Sequence, residues 1–329
     1  MGNIHCQTLS CICTKPLTAE EYESAVLPPL HKLQKVGSVR PSYSQDSPRL
    51  VVEPVQESQE SPKQHDAKRK ALVEVTGSTH TFEDGSTYTG EWHGHCRHGH
   101  GTHMENDGSV YAGQWFEDQA HGKGQLRYAD GDVYDGEWVQ NKKHGIGTYT
   151  HKDGSYYVGD WANDSQHGSG TEKWADHASF SGEYRDGHKN GHGTYVWANG
   201  NSYVGQFVDN EIHGKGVYLW GDGCKYTGQW KRQAMDGFGV FALPNGMTYQ
   251  GEYVQDLKHG HGIFTWLDGR IYEGQWREGH QHGQGKWTED DRTKVGIWEK
   301  GKRVAWLPDE GTKRSAPIRS DSKTASKAE

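Results

Sequence analysis

The sequence predicts an all-β protein: an elongated single-layer antiparallel sheet of tandem β-hairpin repeats. An aromatic-x-Gly-x-aromatic pentad begins at nine positions 23 residues apart, namely 88, 111, 134, 157, 180, 203, 226, 249 and 272. Nine copies in constant register indicate an array in which each repeat packs mainly on its neighbours. Only 32% of the 329 residues are hydrophobic and 45 are glycine, so aromatic rings must replace an aliphatic core.

Composition divides the chain into three parts. Residues 1–76 contain seven of the ten prolines and are predicted to be a disordered targeting arm. Residues 77–298 contain 12 of the 13 tryptophans and form the predicted array of nine full repeats and a degenerate terminal one. Residues 299–329 are rich in Lys, Arg, Ser and Ala and are predicted to be a basic disordered tail.

Both halves of each repeat are predicted to be strands. Tyr134, Gly136 and Trp138 share one sheet face because side chains alternate along a strand. On the neighbouring strand Gly145 and Gly147 leave backbone bare, so that rings can lie over it. The predicted structural aromatic residues are Tyr88, Trp92, Tyr111, Trp115, Tyr134, Trp138, Tyr157, Trp161, Tyr203, Tyr226, Trp230, Tyr249, Tyr272 and Trp276.

Two kinds of connection join these strands. Dipeptides such as Asp130-Gly131 and Asn199-Gly200 tolerate positive φ and predict tight hairpin turns. The other connection, such as Val139 to Lys143, is predicted to be longer. Its variable sequence makes it the predicted carrier of partner specificity.

A histidine recurs ten residues after the first ring of most pentads. Equivalent positions would lie roughly 10 Å apart if each repeat adds two strands, too far for two of them to ligate one Zn²⁺ at about 2.0 to 2.1 Å. We therefore predict no metal site and interpret these residues as turn histidines that hydrogen-bond the backbone, as Asn190 and Asp236 can at the same position. They are His98, His121, His144, His167, His213, His259 and His282.

Charge constrains the partners. Residues 77–298 carry 19 Lys and Arg against 30 Asp and Glu, a formal net charge of −11 with histidine neutral. Nucleic acid binding needs basic clusters, so nucleic acid is excluded as a partner, and adhesion of the array to anionic lipid is disfavoured. The 18 histidines of the array leave one alternative, a pH response in which acidic lipid binds near about pH 5 to 6.

Motifs for catalysis are missing from the sequence. It contains no Gly-x-x-x-x-Gly-Lys-Ser/Thr loop, no Gly-x-Ser-x-Gly elbow and no His-Glu-x-x-His pattern. We therefore predict no catalytic residue, no cofactor and no small-molecule substrate. The two cysteines within the array, Cys96 and Cys224, occupy non-equivalent repeat positions, which fits a reducing, cytoplasmic setting.

The N-terminus, Met1-Gly2-Asn3-Ile4-His5-Cys6, suggests lipidation. Gly2 is the residue that N-myristoylation uses, although Cys6 stands where Ser or Thr is preferred. Palmitate on Cys6, Cys11 or Cys13 would be the second signal that stable anchoring needs. The alternative is an ordinary disordered terminus.

The pentad followed by His-Gly-x-Gly, as in Tyr134-x-Gly136-x-Trp138 through His144-Gly145-x-Gly147, resembles the MORN repeat (membrane occupation and recognition nexus) over about residues 80–298. The resemblance implies a sheet that mediates protein contacts, often self-association, with lipid binding proposed for some members. Stand-alone arrays of this length resemble radial spoke head components. The leading hypothesis is therefore a non-enzymatic scaffold of the cytoskeleton, in the axoneme of a cilium or flagellum. Two alternatives stay open: an acylated tether at the inner face of a membrane, and an accessory subunit of a lipid-modifying or other enzyme.

Overall fold

The computed structural model describes residues 77–308, and this part of the chain is all-β, without a helix. It comprises two compact units, residues 77–256 and residues 257–308. The strands of the first unit are β1 (Thr79–Thr81), β2 (Thr87–His93), β3 (Cys96–Met104), β4 (Val110–Phe116), β5 (Gln119–Arg127), β6 (Val133–Val139), β7 (Lys142–Thr150), β8 (Tyr156–Ala162), β9 (Ser165–Lys173), β10 (Ser179–Arg185), β11 (His188–Val196), β12 (Ser202–Val208), β13 (Glu211–Leu219), β14 (Lys225–Lys231), β15 (Ala234–Ala242) and β16 (Thr248–Val254). The strands of the second unit are β17 (Leu257–Thr265), β18 (Ile271–Arg277), β19 (His280–Glu289), β20 (Arg292–Glu299) and β21 (Lys302–Trp306).

Within each unit, every strand pairs antiparallel with the strand that follows it in the chain. Between β6 and β7, Tyr134 lies opposite Tyr149 and Gly136 opposite Gly147. Between β7 and β8, Gly147 lies opposite Gly159. The same register recurs in the second unit, where Gly262 lies opposite Gly274. The predicted class, an open antiparallel sheet of hairpin repeats, is confirmed in both units.

Aromatic rings form the core. Tyr134 is fully buried and its ring meets Trp138 edge-on at 5.1 Å and Trp161 of the next repeat at 5.2 Å. Backbone carbonyl groups satisfy the polar atoms of both rings, since Tyr134 Oη donates to Glu137 O (3.0 Å) and Trp138 Nε1 donates to Gly124 O (3.0 Å). A pentad ring that departs from this burial is Trp92, which is exposed in the first pentad of the array.

The pentad glycines are spaces for these rings, as predicted. A Cβ added at Gly136 would lie 2.6 Å from Tyr134 Oη and 2.5 Å from the Cα of Gly147, distances that real Cβ atoms essentially never show. Any larger residue would therefore push the ring or the neighbouring strand away. A third glycine, Gly145, is required for a different reason, because its φ of 58° lies in the left-handed region.

The left-handed glycine is followed by a backbone N–H that the strand ladder does not satisfy, and a side chain of the pentad accepts it. Gln114 Oε1 accepts from Lys123 N (2.7 Å), and Asp160 Oδ2 accepts from Ser169 N (2.8 Å). This acceptor is the fourth residue of the pentad. Its alternation between Glu, Gln and Asp thus has a structural cause that the sequence pattern did not reveal.

The lengths of the two connections are the reverse of the prediction. Strand β6 ends at Val139 and β7 begins at Lys142, so Gln140 and Asn141 alone form the turn, with φ of 51° and 64°. Two left-handed residues are the signature of a type I′ hairpin turn. The Asp-Gly connection is the longer one, with five residues between Thr150 and Tyr156. The prediction was wrong because tight turns such as Gln140-Asn141 hold two non-glycine residues in the left-handed region, although Asp186-Gly187 is an Asp-Gly pair that does form a tight turn.

The sheet also continues past residue 298, which corrects the predicted start of the tail at 299. Strand β21, Lys302–Trp306, pairs antiparallel with β20. The Trp306 ring meets Trp298 edge-on at 6.0 Å, and the Arg303 guanidinium lies 4.2 Å from the Trp306 ring centroid. One more ring contact and a cation–π contact therefore stabilise the strand.

Candidate functional site

The sheet of the first unit has two different faces. The aromatic face carries the pentad rings, most of which are buried against one another. The opposite face carries the residues that alternate with them, such as Val139 and Ile146. Large hydrophobic residues remain exposed there. The relative solvent-accessible surface is 65% for Ile146, 50% for Phe238 and 49% for Phe116. The exposed set on the opposite face is Met104, Phe116, Val139, Ile146, Val158, Val208, Phe238 and Val254. Exposed apolar surface of this extent marks a candidate interaction site.

A second row of rings lies on the aromatic face, at the end of each repeat's second strand and the start of the following loop. We call Trp174, Tyr195, Trp197, Tyr218, Trp220 and Phe241 the aromatic ladder. Successive ring centroids lie 5.3, 4.1, 5.6, 4.4 and 5.4 Å apart. Trp197 and Trp220 are half-buried. This row was not predicted from the sequence, although the spacing of Tyr195-x-Trp197 and Tyr218-x-Trp220 indicates it.

Lysine side chains pack on the aromatic face, half-buried at Lys143 and buried at Lys258. Lys143 Nζ lies 4.6 Å from the Tyr149 ring centroid and 5.3 Å from that of Trp161. In the second unit, Lys258 Nζ lies 4.7 Å from the Phe264 ring and 4.9 Å from the Trp276 ring. Burial lowers the pKa of Lys143, and it lowers that of Lys258 to about 7. These lysines pack against the rings and do not form a basic surface.

The fifth repeat adds a buried polar network to its ring contacts. Tyr184 stands where most repeats have Trp, and its Oη donates to Glu172 Oε2 (3.0 Å). Lys189 Nζ donates to the same oxygen (2.9 Å), and both charged side chains are buried. Burial lowers the pKa of Lys189, while the Glu172 carboxylate opposes that shift.

Next to this network lies a polar cavity of about 610 Å³, and Trp174 is one of the residues that line it. Among its lining residues are four carboxylates, Asp132, Asp153, Glu172 and Asp176, and two lysines, Lys152 and Lys173. Burial alone would raise the pKa of Asp132, but hydrogen bonds from Lys152 N and Tyr149 Oη outweigh burial and leave the pKa below its usual value. Carboxylates therefore outnumber ammonium groups at this end of the ladder.

The repeated histidines do not occupy turns. His98 lies in β3 and His144 in β7, each as the third residue of its strand. Their carbonyl groups take the structural role, since Tyr134 Oη lies 3.5 Å from His144 O and Tyr203 Oη lies 3.3 Å from His213 O. The interpretation as turn histidines was therefore wrong. Within residues 77–308, no group of three or more His, Cys, Asp or Glu side chains is arranged to hold a metal ion.

The predicted lipidation residues Gly2, Cys6, Cys11 and Cys13 lie outside the described residues, as does most of the predicted tail. In residues 77–308 there is no helix of the length and apolarity needed to cross a bilayer.

These features define an antiparallel β-repeat protein whose repeats share a ring core and differ in their exposed side chains. A family model for the MORN repeat matches nine consecutive segments, 88–110, 111–133, 134–156, 157–179, 180–202, 203–225, 226–248, 249–269 and 272–288. The chain belongs to the MORN repeat family. Such repeats are typical of protein-binding or membrane-associated repeat proteins, and no catalytic family is indicated. No curated protein sequence matched the chain.

Several solved structures are distantly similar. The TCP10 domain of Danio rerio CPAP in complex with a peptide of STIL is 10% identical, with a TM-score of 0.39, and the match covers 70% of this chain and 99% of that one. The SAS-4 TCP domain of Drosophila melanogaster is 13% identical, with a TM-score of 0.30 and coverage of 54% and 90%. Virginiamycin B lyase from Staphylococcus aureus is 10% identical, with a TM-score of 0.13 and coverage of 70% and 83%. TM-scores this low do not establish a shared fold.

Proposed function

We propose that this protein is a non-enzymatic scaffold that assembles other proteins in a cytoskeletal structure, the axoneme of a cilium or flagellum. The observation that carries the proposal is the set of hydrophobic side chains exposed on the opposite face, with Ile146, Phe116 and Phe238 the most exposed. Leaving such side chains in water is unfavourable, and a protein partner would cover them.

The repeat architecture suits this role. Each repeat presents the same backbone with different exposed residues, as at Phe116, Val139 and Ala162, which end equivalent strands. A long surface of this kind binds extended or multiple partners rather than a small substrate. The net charge of −11 over residues 77–298 directs binding to proteins rather than to nucleic acid.

The test is the partition of the tagged full chain after nonionic detergent extraction of a ciliated or flagellated host cell. We expect the wild type to stay in the insoluble cytoskeleton and the variant Phe116→Ser, Ile146→Ser, Phe238→Ser to be released, because it lacks the exposed apolar side chains. Gly2→Ala is the matched control and should stay with the cytoskeleton. Release of the wild type, or retention of the triple variant, would refute this surface.

The second candidate function is a membrane tether, which the sequence at Gly2, Cys6, Cys11 and Cys13 favours. One myristoyl chain binds a bilayer only marginally, and an added palmitoyl chain would anchor the protein at the inner face of a membrane. In the same experiment the tether predicts the opposite pattern. Detergent would release the wild type, and Gly2→Ala would be soluble before detergent is added.

A further inference from the structure

The three tryptophans of the aromatic ladder occupy one repeat position, 23 residues apart. Each begins a five-residue loop with the same two backbone hydrogen bonds. Trp220 N donates to Cys224 O (2.9 Å), and Trp220 O accepts from Gly223 N (2.8 Å). The corresponding N-to-O distances are 3.0 and 2.9 Å at Trp174, and 3.5 and 3.2 Å at Trp197. The backbone therefore places the three tryptophans at equivalent positions, where Trp174 is buried and Trp197 and Trp220 are half-buried.

The spacing of these rings matches one type of peptide ligand. Successive tryptophans follow every second strand of the sheet. Two interstrand spacings of about 4.8 Å therefore separate them, or about 9.6 Å. A polyproline II helix has three residues per turn and rises 3.1 Å per residue, or about 9.3 Å per turn. Residues i and i+3 of such a helix would therefore lie against the half-buried rings of Trp197 and Trp220, and residue i−3 would reach the cavity that Trp174 lines.

The tilt of the rings favours proline over flat ligands. Tyr195 and Trp197 make an interplanar angle of 43°, Trp197 and Tyr218 one of 42°, and Tyr218 and Trp220 one of 45°. Rings tilted in this way do not form a flat platform on which a base would stack, and the stacked pair, Trp174 and Tyr195 at 24°, is buried at the end of the ladder. Aromatic-lined grooves are the surfaces that recognise proline-rich segments, whose preformed helix has little entropy to lose.

The charge at one end of the ladder sets the direction in which a peptide with a basic residue at one end would bind. Trp174 is both the first ring of the ladder and a wall of the polar cavity, where carboxylates outnumber lysines. An arginine or lysine at one end of a bound segment would enter this cavity, where Asp153 and Asp176 lie in successive loops. Charge complementarity thus adds to the apolar contacts of the ladder.

We propose that the aromatic ladder binds a polyproline II segment of a partner protein that has an apolar residue at every third position and a basic residue beside Trp174. This names a partner class for the proposed scaffold and rests on that function. The two fail separately, because peptide binding is measured on the purified chain and cytoskeletal assembly is measured in cells.

The experiment uses the full chain and a fluorescein-labelled probe, Arg-Pro-Leu-Pro-Pro-Leu-Pro-Pro-Leu, followed by fluorescence anisotropy. The test variant is Trp197→Leu with Trp220→Leu, since Leu243 occupies the same repeat position and shows that leucine fits there. The matched control is Trp92→Leu, which removes an exposed tryptophan of the first pentad that lies outside the aromatic ladder. We expect saturable binding by the wild type and the control, and at least about tenfold weaker binding by the test variant, a loss of about 1.4 kcal/mol.

A second arm tests the polarity. Asp153→Asn with Asp176→Asn keeps the loop hydrogen bonds, because Asn199 and Asn245 accept the same backbone N–H at 3.1 Å in other repeats. It should weaken binding of the arginine probe and leave a probe with Gln in place of Arg unaffected. The proposal is overturned if the wild type does not bind the arginine probe, if the leucine variant binds it as well as the control does, or if the asparagine variant binds both probes as the wild type does.

Discussion

At the scale of single residues, stability depends on rings that lie over glycine backbone. Trp138 is 5% exposed, donates a hydrogen bond to the preceding repeat and meets Tyr111 edge-on at 5.2 Å. Its ring thus joins two repeats through apolar contact and one polar contact. The adjacent residue Val139 is 38% exposed on the opposite face and makes none of these ring contacts.

We therefore expect Trp138→Ala to lower the free energy of unfolding by about 3 to 5 kcal/mol, the usual cost of emptying a buried aromatic site. Val139→Ala should change it by less than about 0.5 kcal/mol. Urea unfolding followed by circular dichroism measures both variants. Equal midpoints for the two would contradict a ring core.

Lys258 gives the second unit a pH dependence. Burial lowers its pKa from 10.5 to about 7, whereas the unfolded chain keeps the ordinary value. Between these two pKa values the unfolded state binds more protons, so the free energy of unfolding rises with pH. The rise should reach at most about 1.4 kcal/mol per pH unit.

Lys258→Met should remove this rise and stabilise the protein at neutral pH. Methionine already occupies the same repeat position at Met235, where it is buried. The measurement is the free energy of unfolding of both proteins between about pH 7 and 9, below the range in which tyrosine ionises. Parallel pH profiles for wild type and variant would show that Lys258 does not titrate in this range.

At the scale of the element, the two-residue turns are fixed by the preceding repeat. Asn141 has a φ of 64°, and its Oδ1 accepts a hydrogen bond from Ala120 N (2.7 Å). Asp164 accepts in the same way from Lys143 N (2.9 Å). Each turn is therefore linked to the strand 21 residues before it, which offsets the cost of placing non-glycine residues in the left-handed region.

Two substitutions at Asn141 separate the contribution of its side-chain hydrogen bond from that of its left-handed backbone. Asn141→Gly keeps the left-handed backbone, as Gly187 does at the same position with a φ of 81°, but loses the acceptor. We expect it to cost about 1 kcal/mol, the net value of a hydrogen bond. Asn141→Asp keeps the acceptor and should cost less than half as much. Thermal unfolding of the two variants tests the link, and equal stabilities would show that the hydrogen bond contributes nothing.

These turns also show what a sequence can predict. Ring positions such as Tyr134 and Trp138 follow from alternation within one strand, so spacing alone identified them. The Gln140-Asn141 turn depends on a contact with Ala120 in another repeat, and local turn chemistry favoured Asp-Gly instead. The aromatic ladder could have been predicted, because Trp174, Trp197 and Trp220 follow the same 23-residue period as the pentads.

At the scale of the whole molecule, the repeat period fixes which side chains reach each face. In the first unit every strand pairs only with its neighbours in the chain, as β6 pairs with β5 and β7. Deletion of one complete 23-residue repeat should therefore join two equivalent strand positions. The contacts between the strands that remain should be unchanged. Removing one residue fewer should turn the following ring to the other face, because side chains alternate with a period of two.

Two deletions test this, with their junction inside a pentad. Deletion of residues 137–159 joins Gly136 to Asp160 and restores the pattern Tyr-x-Gly-x-Trp, so we expect a folded protein with the β-sheet spectrum of the wild type and a slightly lower Tm. Deletion of residues 137–158 retains Gly159 and places Trp161 on the face opposite Tyr134. It should lose the ring core at the junction, and Tm should fall by more than about 5 °C relative to the first deletion, because a large buried ring is lost. Equal Tm values for the two deletions would show that the alternation of faces does not determine the stability of this array.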